Sequence, residues 1–328
     1  MSKRGNNSQF RRGQGHSHGH SHGHSHARRH GHDASRQHNE GERHSQGAPS
    51  KRTFSGREDI VIGRNSLTEL LRRYPDRIHE VWLAGGGGDE RAAGGRQREI
   101  SDQLATLDIP VTHVSRDELT DLVGSESHQG VAARIAPRRA WGLEEIFSEL
   151  AEGSEAPRPT SLLLALDNIV DPQNFGAILR AAECFGVDGV VWSKNRGAPV
   201  SPVVSKVSVG GSELVRLAPI SNLQRALEIC KKAGYWVVGA ALGEGSQSLD
   251  TFEFPEKTVI VMGAEGEGLS HIIEQNLDFK VTIPMMGAID SLNVSQATAV
   301  LLAAASRCHR CVHGSASTQN VDIASHLK

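Results

Sequence analysis

The chain has 328 residues, of which 38% are hydrophobic, and its formal net charge is −2. That length allows two ordinary domains with real cores, while no apolar run is long enough to span a membrane and the polar N-terminus predicts no secretory signal peptide. Four cysteines are too few for a disulfide framework, which favours a reducing, cytoplasmic location.

Residues 1–57 form a basic arm that has almost no apolar side chains. The arm holds 11 Lys and Arg against 3 Asp and Glu, a balance of +8, which leaves −10 for residues 58–328. Because so little apolar surface cannot offset the entropy lost on ordering the chain, we predict that the arm is disordered. Because the arm is basic while residues 58–328 are acidic, the charge distribution favours a polyanionic partner for the arm.

Histidines alternate along this arm from His16 to His26 and recur at His30 and His32. Imidazoles at this density bind transition-metal ions, so a metal store or sensor is one interpretation. We favour a low-complexity extension with only incidental metal binding, because nothing folded orders these ligands into a fixed shell.

Residues 58–135 alternate helices with short strands, which predicts a small α/β module. Ser66 stands where the N-cap of the first amphipathic helix is expected. The other predicted elements are a strand at 78–83, a helix at about 96–107, a strand near 109–114, a helix at 116–123 and a strand at 131–135. The glycine-rich stretch 84–95 predicts an insertion, and His128-Gln129-Gly130 is more typical of a turn than of a site.

Residues 136–160 contain three prolines and an acidic run, which predict a linker with one helical stretch. From residue 161 strands and helices alternate again. Four of these strands are nearly continuous apolar runs: Leu162–Leu166, Gly189–Trp192, Tyr235–Ala240 and Val259–Met262. Such strands with crossover helices predict a parallel sheet that is covered on both faces.

A turn built on Asp171-Pro172 follows the first of these strands, and a helix is predicted after that turn. Its buried stripe consists of Phe175, Ile178, Leu179, Ala182 and Phe185. Asn174 opens this helix, and Arg180 lies outside the stripe, where an arginine usually just faces solvent.

The last of the four strands runs into the glycine-rich segment Gly263–Gly268. A glycine-rich turn after a strand often cradles phosphate, but this one lacks a P-loop lysine and its two glutamates would repel phosphate. Its place late in the domain also argues against dinucleotide binding. A neutral or cationic ligand fits better, such as an adenosine attached to a sulfonium.

A short strand at 279–283 leads through a loop into an alanine-rich helix that begins near Val294. Ser291, Leu292, Asn293 and Ser295 lie at the junction of loop and helix. Polar side chains and free backbone amides at a helix N-terminus can hold a polar ligand, although such residues usually just cap the helix.

The segment Cys308–His313 combines a Cys-x-x-Cys pair with two histidines, which are potential zinc ligands. All four side chains come from one short stretch at a helix end. We therefore favour small helix residues over a zinc site, and the sequence predicts no metal centre.

Three motifs in this order resemble those of the SpoU (TrmH) family, the RNA ribose 2′-O-methyltransferases of the SPOUT class. The residues that carry the resemblance are Asn174 with Arg180, Gly263–Leu269, Ile283-Pro284 and Ser291–Ser295. The resemblance covers about residues 161–310. The module before it, which ends in His128–Ala133, looks like the RNA-binding domain of the subgroup that methylates a guanosine of large-subunit ribosomal RNA.

The resemblance implies an α/β fold whose catalytic domain has a trefoil-knotted parallel sheet of the SPOUT type. The implied order is a disordered arm, 1–57; an RNA-binding domain, 58–135; a linker, 136–160; a methyltransferase domain, 161–313; and a C-terminal tail, 314–328. It also implies S-adenosylmethionine as cofactor, a homodimer, and a guanosine ribose of 23S ribosomal RNA as substrate.

In the family the cofactor pocket is largely backbone. The corresponding positions here are Gly263, Ile283 and Leu292, with Met262 and Met285 nearby. Glycine lets the main chain close on an adenine edge, and aliphatic side chains cover its faces.

The catalytic residue implied by the resemblance is Arg180, often described as the general base. A guanidinium has a pKa above about 12, so we interpret Arg180 as a clamp on the RNA phosphate and the nascent alkoxide. Asn174, Glu265, Ser291 and Asn293 would fix Arg180 and the ribose.

Two alternatives stay open at this stage. The first is a transfer-RNA ribose methyltransferase of the same family, against which the accessory domain counts. The second is an RNA-binding ribosome assembly factor without catalysis, against which the intact motif residues count. Calorimetry with S-adenosylmethionine separates the classes, because an assembly factor without catalysis need not bind it.

Overall fold

The computed structural model describes residues 59–85, 95–152, 159–241 and 243–313, except for the side chains of 95–98 and 311–313. All of these residues belong to one compact unit. The predicted disordered arm, most of the glycine-rich insertion and the C-terminal tail lie outside the described residues. Within those residues, no helix combines the length and the apolar character needed to cross a membrane.

The described part of residues 59–135 forms the predicted α/β module, which we call the accessory module. Its elements are β1 (Ile60–Ile62), α1 (Arg64–Arg73), β2 (Ile78–Ala84), α2 (Gly95–Thr106), β3 (Val111–Val114), α3 (Arg116–Val123) and β4 (Val131–Ile135), with 3₁₀ turns at Pro75–Arg77 and Glu126–His128. The sheet order is β1-β4-β2-β3, with β4 antiparallel to both neighbours and β3 parallel to β2. Alternate strand residues enter apolar cores on the two faces.

The first helix of the module starts earlier than its sequence suggests. It begins at Arg64, with Gly63 at the N-cap position at a positive φ (95°) that favours glycine. Ser66 lies within the first turn, is buried, and its hydroxyl donates to the Ser205 carbonyl at 2.9 Å. The N-cap prediction for Ser66 is therefore wrong, because the hydroxyl serves a contact with the C-terminal domain.

The C-terminal domain is built on a parallel sheet. Its elements are α4 (Leu143–Glu152), β5 (Ser161–Leu166), α5 (Pro172–Cys184), β6 (Gly189–Ser193), α6 (Pro202–Val207), α7 (Gly211–Leu214), β7 (Leu217–Ile220), α8 (Leu223–Lys232), β8 (Trp236–Ala240), β9 (Ser246–Ser248), β10 (Lys257–Met262), α9 (His271–Glu274), β11 (Phe279–Thr282) and α10 (Val294–His313). The strand order is β7-β6-β5-β10-β8-β11-β9, and every described pair is parallel. The parallel-sheet prediction is confirmed.

Both faces of this sheet are covered, which explains its continuous apolar strands. In β5, Leu162, Leu164 and Leu166 face the core formed with α5 and α10. Leu163 and Ala165 face the opposite core, which includes residues of α4 and α8. Helix α4, which lies within the predicted linker, is thus part of the core of the C-terminal domain.

The sheet brings the predicted motifs to one edge. Strands β5 and β10 are hydrogen-bonded parallel neighbours, so the loops that follow them leave the same edge. The first loop leads to α5, and the second is the glycine-rich segment. The trefoil knot depends on how the chain threads through a loop, which strand order alone does not establish, and it stays a prediction.

A buried ion cluster ties the accessory module to the C-terminal domain. The Glu213 side chain in α7 is fully buried. Arg138 Nε donates to its Oε1 at 2.6 Å, and Arg77 donates to its Oε2 at 3.2 Å. Ser212 Oγ completes the set at 3.1 Å. The carboxylate therefore joins an arginine of the module and one of the connecting segment.

We expect Glu213→Gln to destabilise the fold by about 3 kcal/mol, because two arginines lose a fully buried carboxylate partner. The shift in the urea unfolding midpoint measures this. Glu149→Gln is the matched control: it removes the exposed Arg216–Glu149 pair (2.9 Å) and should cost less than about 1 kcal/mol. Equal shifts in both variants would contradict a special role for Glu213.

Candidate active site

Side chains from all three sequence motifs meet in one hydrogen-bonded cluster at the carboxyl edge of the sheet. Asn174 Nδ2 donates to Glu265 Oε2 at 2.9 Å. Asn293 Nδ2 donates to Asn174 Oδ1 at 2.9 Å and approaches Glu265 Oε2 at 3.4 Å. The three residues come from α5, from the loop after β10 and from the residue before α10, so only the folded sheet assembles them.

The direction of these hydrogen bonds is fixed by Ser295. The Ser295 backbone N–H donates to Asn293 Oδ1 at 2.9 Å, and its hydroxyl donates to the same oxygen at 2.6 Å. A backbone N–H can only donate, so the other amide atom of Asn293 is its NH₂ group. That group then donates to the Asn174 carbonyl oxygen, which leaves the Asn174 NH₂ to donate to Glu265. The NH₂ groups of both Asn293 and Asn174 therefore point toward the Glu265 carboxylate.

The glycine-rich loop is folded tightly on itself. Ala264 and Gly268 exchange two backbone hydrogen bonds of 2.9 Å. A Cβ atom at Gly263 would lie 2.2 Å from the backbone of Gly268, so only glycine fits there. The loop is closed at its far end by Asp167, whose Oδ2 accepts the Ser270 N–H at 2.8 Å.

Sequence reasoning missed one residue that shapes this site, Asp167. The buried Asp167 holds the second motif from the end of the first strand. A carboxylate directly after a buried strand was the available signal. Ser295 was named at the helix N-terminus without a separate role, and the structure shows that it orients Asn293.

Arg180 and Ser291 lie outside the hydrogen-bonded cluster. Both side chains are exposed, and neither makes a hydrogen bond or ion pair with another described residue. The backbone of Arg180 is nevertheless closely held, because a Cβ at Gly211 in α7 would lie 3.2 Å from its Cα. Arg180 therefore presents an unpaired guanidinium from a well-packed helix, as its position outside the buried stripe predicts.

The five predicted cofactor-binding residues have different surroundings. The Met262 side chain is buried in the core of the sheet, and Ile283 is half-buried against the same core. Met285 and Leu292 are both more than one-third exposed. Leu292 directly precedes Asn293 of the cluster, and Gly263 lies two residues before Glu265 in the glycine-rich loop.

This arrangement fits an adenosine linked to a sulfonium. The tight loop at Gly263 offers main-chain groups without a side chain, and the exposed carboxylates of Glu265 and Glu267 favour a cation over a phosphate. Leu292 and Met285 supply apolar contacts for a ring. The donor set is therefore consistent with the predicted cofactor.

The cysteine–histidine segment near the C-terminus does not resemble a metal centre in its described part. His309 is buried and its Nε2 lies 3.0 Å from the Pro255 carbonyl oxygen, while Cys308 packs against the core. No group of three potential ligands occurs among the described residues. The side chains of Cys311 and His313 lie outside them.

We expect Asn293→Asp to lower the rate constant of methyl transfer by about two powers of ten. The substitution replaces the NH₂ donor that faces Asn174 and Glu265 with an oxygen of a second carboxylate. Single-turnover kinetics measure the loss. Asn222→Asp is the matched control: Asn222 Oδ1 caps α8 by accepting the Arg225 N–H at 2.9 Å, and aspartate caps as well. An unchanged rate in Asn293→Asp would contradict the polarity assigned to the cluster.

Comparison with known proteins agrees with this geometry. Residues 161–303 match the SpoU rRNA Methylase family, and residues 60–141 match the family described as RNA 2′-O ribose methyltransferase substrate binding. A 23S rRNA (guanosine-2′-O-)-methyltransferase RlmB from Pseudomonas aeruginosa is 40% identical over 242 residues, which span 74% of this chain and 93% of the relative.

Two solved structures share the fold. The SpoU methyltransferase AviRb from Streptomyces viridochromogenes, in complex with the cofactor AdoMet, is 23% identical with a TM-score of 0.59, covering 78% of this chain and 91% of its own. An AdoMet-bound rRNA methyltransferase from Sinorhizobium meliloti is 21% identical with a TM-score of 0.58, covering 76% and 86%. The ordered motifs, the parallel sheet and the extent of the match to the Pseudomonas relative lead to one assignment: this chain belongs to the SpoU rRNA methylase family.

Proposed function

We propose that this chain transfers a methyl group from S-adenosylmethionine to the ribose 2′-oxygen of a guanosine in 23S ribosomal RNA, in the cytoplasm. The observation that carries the proposal is the hydrogen-bonded cluster of Asn174, Glu265 and Asn293, which joins all three family motifs. The name of the Pseudomonas relative supports the guanosine and the 23S substrate. The substrate-binding match supports an RNA role for the accessory module.

The residues of this chain have separate tasks in that reaction. When bound, S-adenosylmethionine supplies a methyl group activated by a sulfonium; Gly263, Ile283 and Leu292 would hold it. A ribose hydroxyl is a poor nucleophile until its proton is lost, so the site has to orient it and stabilise the developing charge. The Glu265 Oε1 makes no hydrogen bond with another described residue, so Glu265 would orient the ribose through it, while Arg180 would balance the charge of the alkoxide.

We also propose that the active form is a homodimer. Exposed apolar side chains lie on the loops next to the cluster: Val170 is 68% exposed, Ile289 77% and Met286 98%. Large apolar residues so fully exposed on neighbouring segments are typical of an interface. Sedimentation equilibrium of active protein tests this, and a mass of one chain, 35.3 kDa, would contradict it.

The proposed function is tested most simply in cells. A strain that lacks this chain should lose one 2′-O-methylguanosine from 23S ribosomal RNA, and the wild-type gene should restore it. Loss of a 2′-O-methyl group from transfer RNA instead would assign the chain to the transfer-RNA members of the family. An unchanged methylation pattern, together with no S-adenosylmethionine binding in calorimetry, would favour an assembly factor without catalysis.

For the basic arm, we expect deletion of residues 1–57 to weaken RNA binding and flatten its salt dependence without changing which nucleotide is modified. Each lost phosphate contact lowers the slope of log affinity against log salt by about 0.7 to 0.9. Binding titrations at several salt concentrations measure this. Turnover at saturating RNA should survive, so its loss would place the arm inside the active site.

A further inference from the structure

A cavity of about 720 Å³ opens in the accessory module where β2 and β3 end. These strands are parallel, with Ala84 paired to Val114, so their carboxyl ends lie at the same edge. The volume is in the range of sites that hold a small molecule. Nothing established above assigns a ligand to it.

The wall of this cavity is basic although the module is acidic. Residues 59–135 hold nine Arg and Lys against 13 Asp and Glu. Nevertheless, among the described residues that line the cavity, Arg64, His113 and Arg116 lie beside one carboxylate, Glu118. The Glu118 Oε2 accepts the Ser115 backbone N–H at 2.8 Å, and its single charge faces two guanidinium groups. The local excess of positive charge suits a phosphate.

Arg64 is held in place by an unusual turn. Arg64 Nε donates to the Gln129 carbonyl oxygen at 3.1 Å, and the Arg64 backbone N–H donates to Gln129 Oε1 at 3.0 Å. Gln129 has a left-handed conformation (φ 56°), as does Gly130 (φ 79°). A non-glycine residue in that region is uncommon and is often found at functional sites.

The buried side chain of His128 stabilises this turn from the protein interior. The prediction that His128-Gln129-Gly130 forms a turn is confirmed. His128 is fully buried; its Nδ1 accepts the Gly130 N–H at 2.9 Å, and its Nε2 lies 3.1 Å from Thr120 Oγ1. Burial, together with the nearby charge of Arg116, lowers the pKa of His128, which keeps the ring neutral and able to accept. The cavity wall is thus organised before any ligand arrives.

A lysine of the C-terminal domain lies beside this turn. A Cβ at Gly63 would lie 3.4 Å both from Gln129 Oε1 and from Cγ of Lys206, a residue of α6. Helix α6 packs tightly on α5, since a Cβ at Gly176 would lie 2.7 Å from Val207 Cβ. The turn at the cavity is therefore connected through α6 to the helix that carries Asn174 and Arg180.

We propose that this cavity binds an unpaired nucleotide of the RNA substrate, with Arg64 and Arg116 on its phosphates. The proposal rests on the proposed function and adds a named recognition site to it. An unpaired nucleotide is favoured because a cavity can enclose a base that is splayed out of a helix, whereas a duplex offers only its backbone and shallow groove. The site would set which stretch of RNA reaches the catalytic cluster.

The test measures binding of the full chain to a fluorescein-labelled single-stranded RNA dodecamer of mixed sequence, by fluorescence anisotropy. The Arg116 side chain is exposed and makes no hydrogen bond or ion pair with a described residue, and alanine keeps the backbone groups, so Arg116→Ala should fold normally. It should weaken binding about tenfold, as for one charge-assisted contact, and lower the salt slope by about 0.7. Arg72→Ala, which removes an exposed arginine paired with Glu69, is the matched control and should change affinity less than about twofold.

Three outcomes would overturn the site. Equal losses in Arg116→Ala and Arg72→Ala would show that the cavity contributes nothing particular. An equal loss for the same strand in duplex form would show a backbone contact without an unpaired nucleotide. Displacement of the dodecamer by micromolar GMP would assign the cavity to a free nucleotide. Because the assay reads RNA binding without methyl transfer, its failure leaves the proposed reaction intact, and a failed methylation assay leaves this result standing.

Discussion

Arg180→Ala should lower the rate constant of methyl transfer at saturating RNA and cofactor by about two to three powers of ten, the usual scale for losing one group that stabilises an oxyanion. The exposed guanidinium makes no hydrogen bond or ion pair within the described residues, so its removal should leave the fold unchanged. S-adenosylmethionine affinity, measured by calorimetry, should barely change, because Gly263, Ile283 and Leu292 are untouched.

Arg180→Lys separates a clamp from a base. The positive charge remains although the bidentate fork is lost, so a clamp keeps part of its effect. We therefore expect a residual single-turnover rate with the same pH profile as the wild type. A log-linear rise with pH whose ionisation moves toward the ordinary pKa of lysine in the variant would show that residue 180 itself loses the proton. That result would contradict the clamp.

Gly263→Ala should abolish measurable cofactor binding, a loss of at least about hundredfold in affinity. The added Cβ would lie 2.2 Å from the carbonyl carbon and oxygen of Gly268, and backbone atoms cannot rotate away as a flexible side chain can. The loop cannot simply open either, because Ala264 and Gly268 are paired and Asp167 holds the Ser270 N–H. Isothermal titration with S-adenosylmethionine measures the effect.

Gly142→Ala is the matched control for Gly263→Ala. Its added Cβ would meet only Glu145 Cβ, at 3.8 Å, which is ordinary contact. We expect cofactor affinity within about twofold of the wild type. If Gly263→Ala also bound normally, the tight loop would not form part of the cofactor site. Circular dichroism of both variants separates a local effect from general unfolding.

The parallel sheet could be predicted because the distribution of apolar residues along a strand depends on which of its faces are buried. A strand such as Leu162–Leu166 has apolar residues on both faces, and this requires cover on both sides. The helix of Asn174 could be predicted from its buried stripe, but it begins at Pro172, two residues before the predicted start at Asn174, because Asp171 caps it and Pro172 fits its first position. Local pattern does not show which polar residues take part in the reaction. The roles of those residues were predicted from the resemblance to the family.

The remaining features depend on contacts between distant segments. Ser66 looks like a helix cap, yet it bonds to Ser205, which is 139 residues away. Glu213 stands in an unremarkable polar stretch, and only the fold brings two arginines to it. Asp167 likewise acts across 103 residues on Ser270. Such pairings have no local periodicity, so a single sequence does not show which distant residue is the partner.

The central claim is ribose methylation of 23S ribosomal RNA by this site, and one transfer assay tests it most directly. Purified full-length chain would be incubated with methyl-labelled S-adenosylmethionine and 23S ribosomal RNA from a strain that lacks the chain, and the labelled nucleosides would then be identified. We predict label in 2′-O-methylguanosine at a single position with the wild type, and almost none with Arg180→Ala. Label on a base, label only in transfer RNA, or no transfer by the wild type would contradict the account.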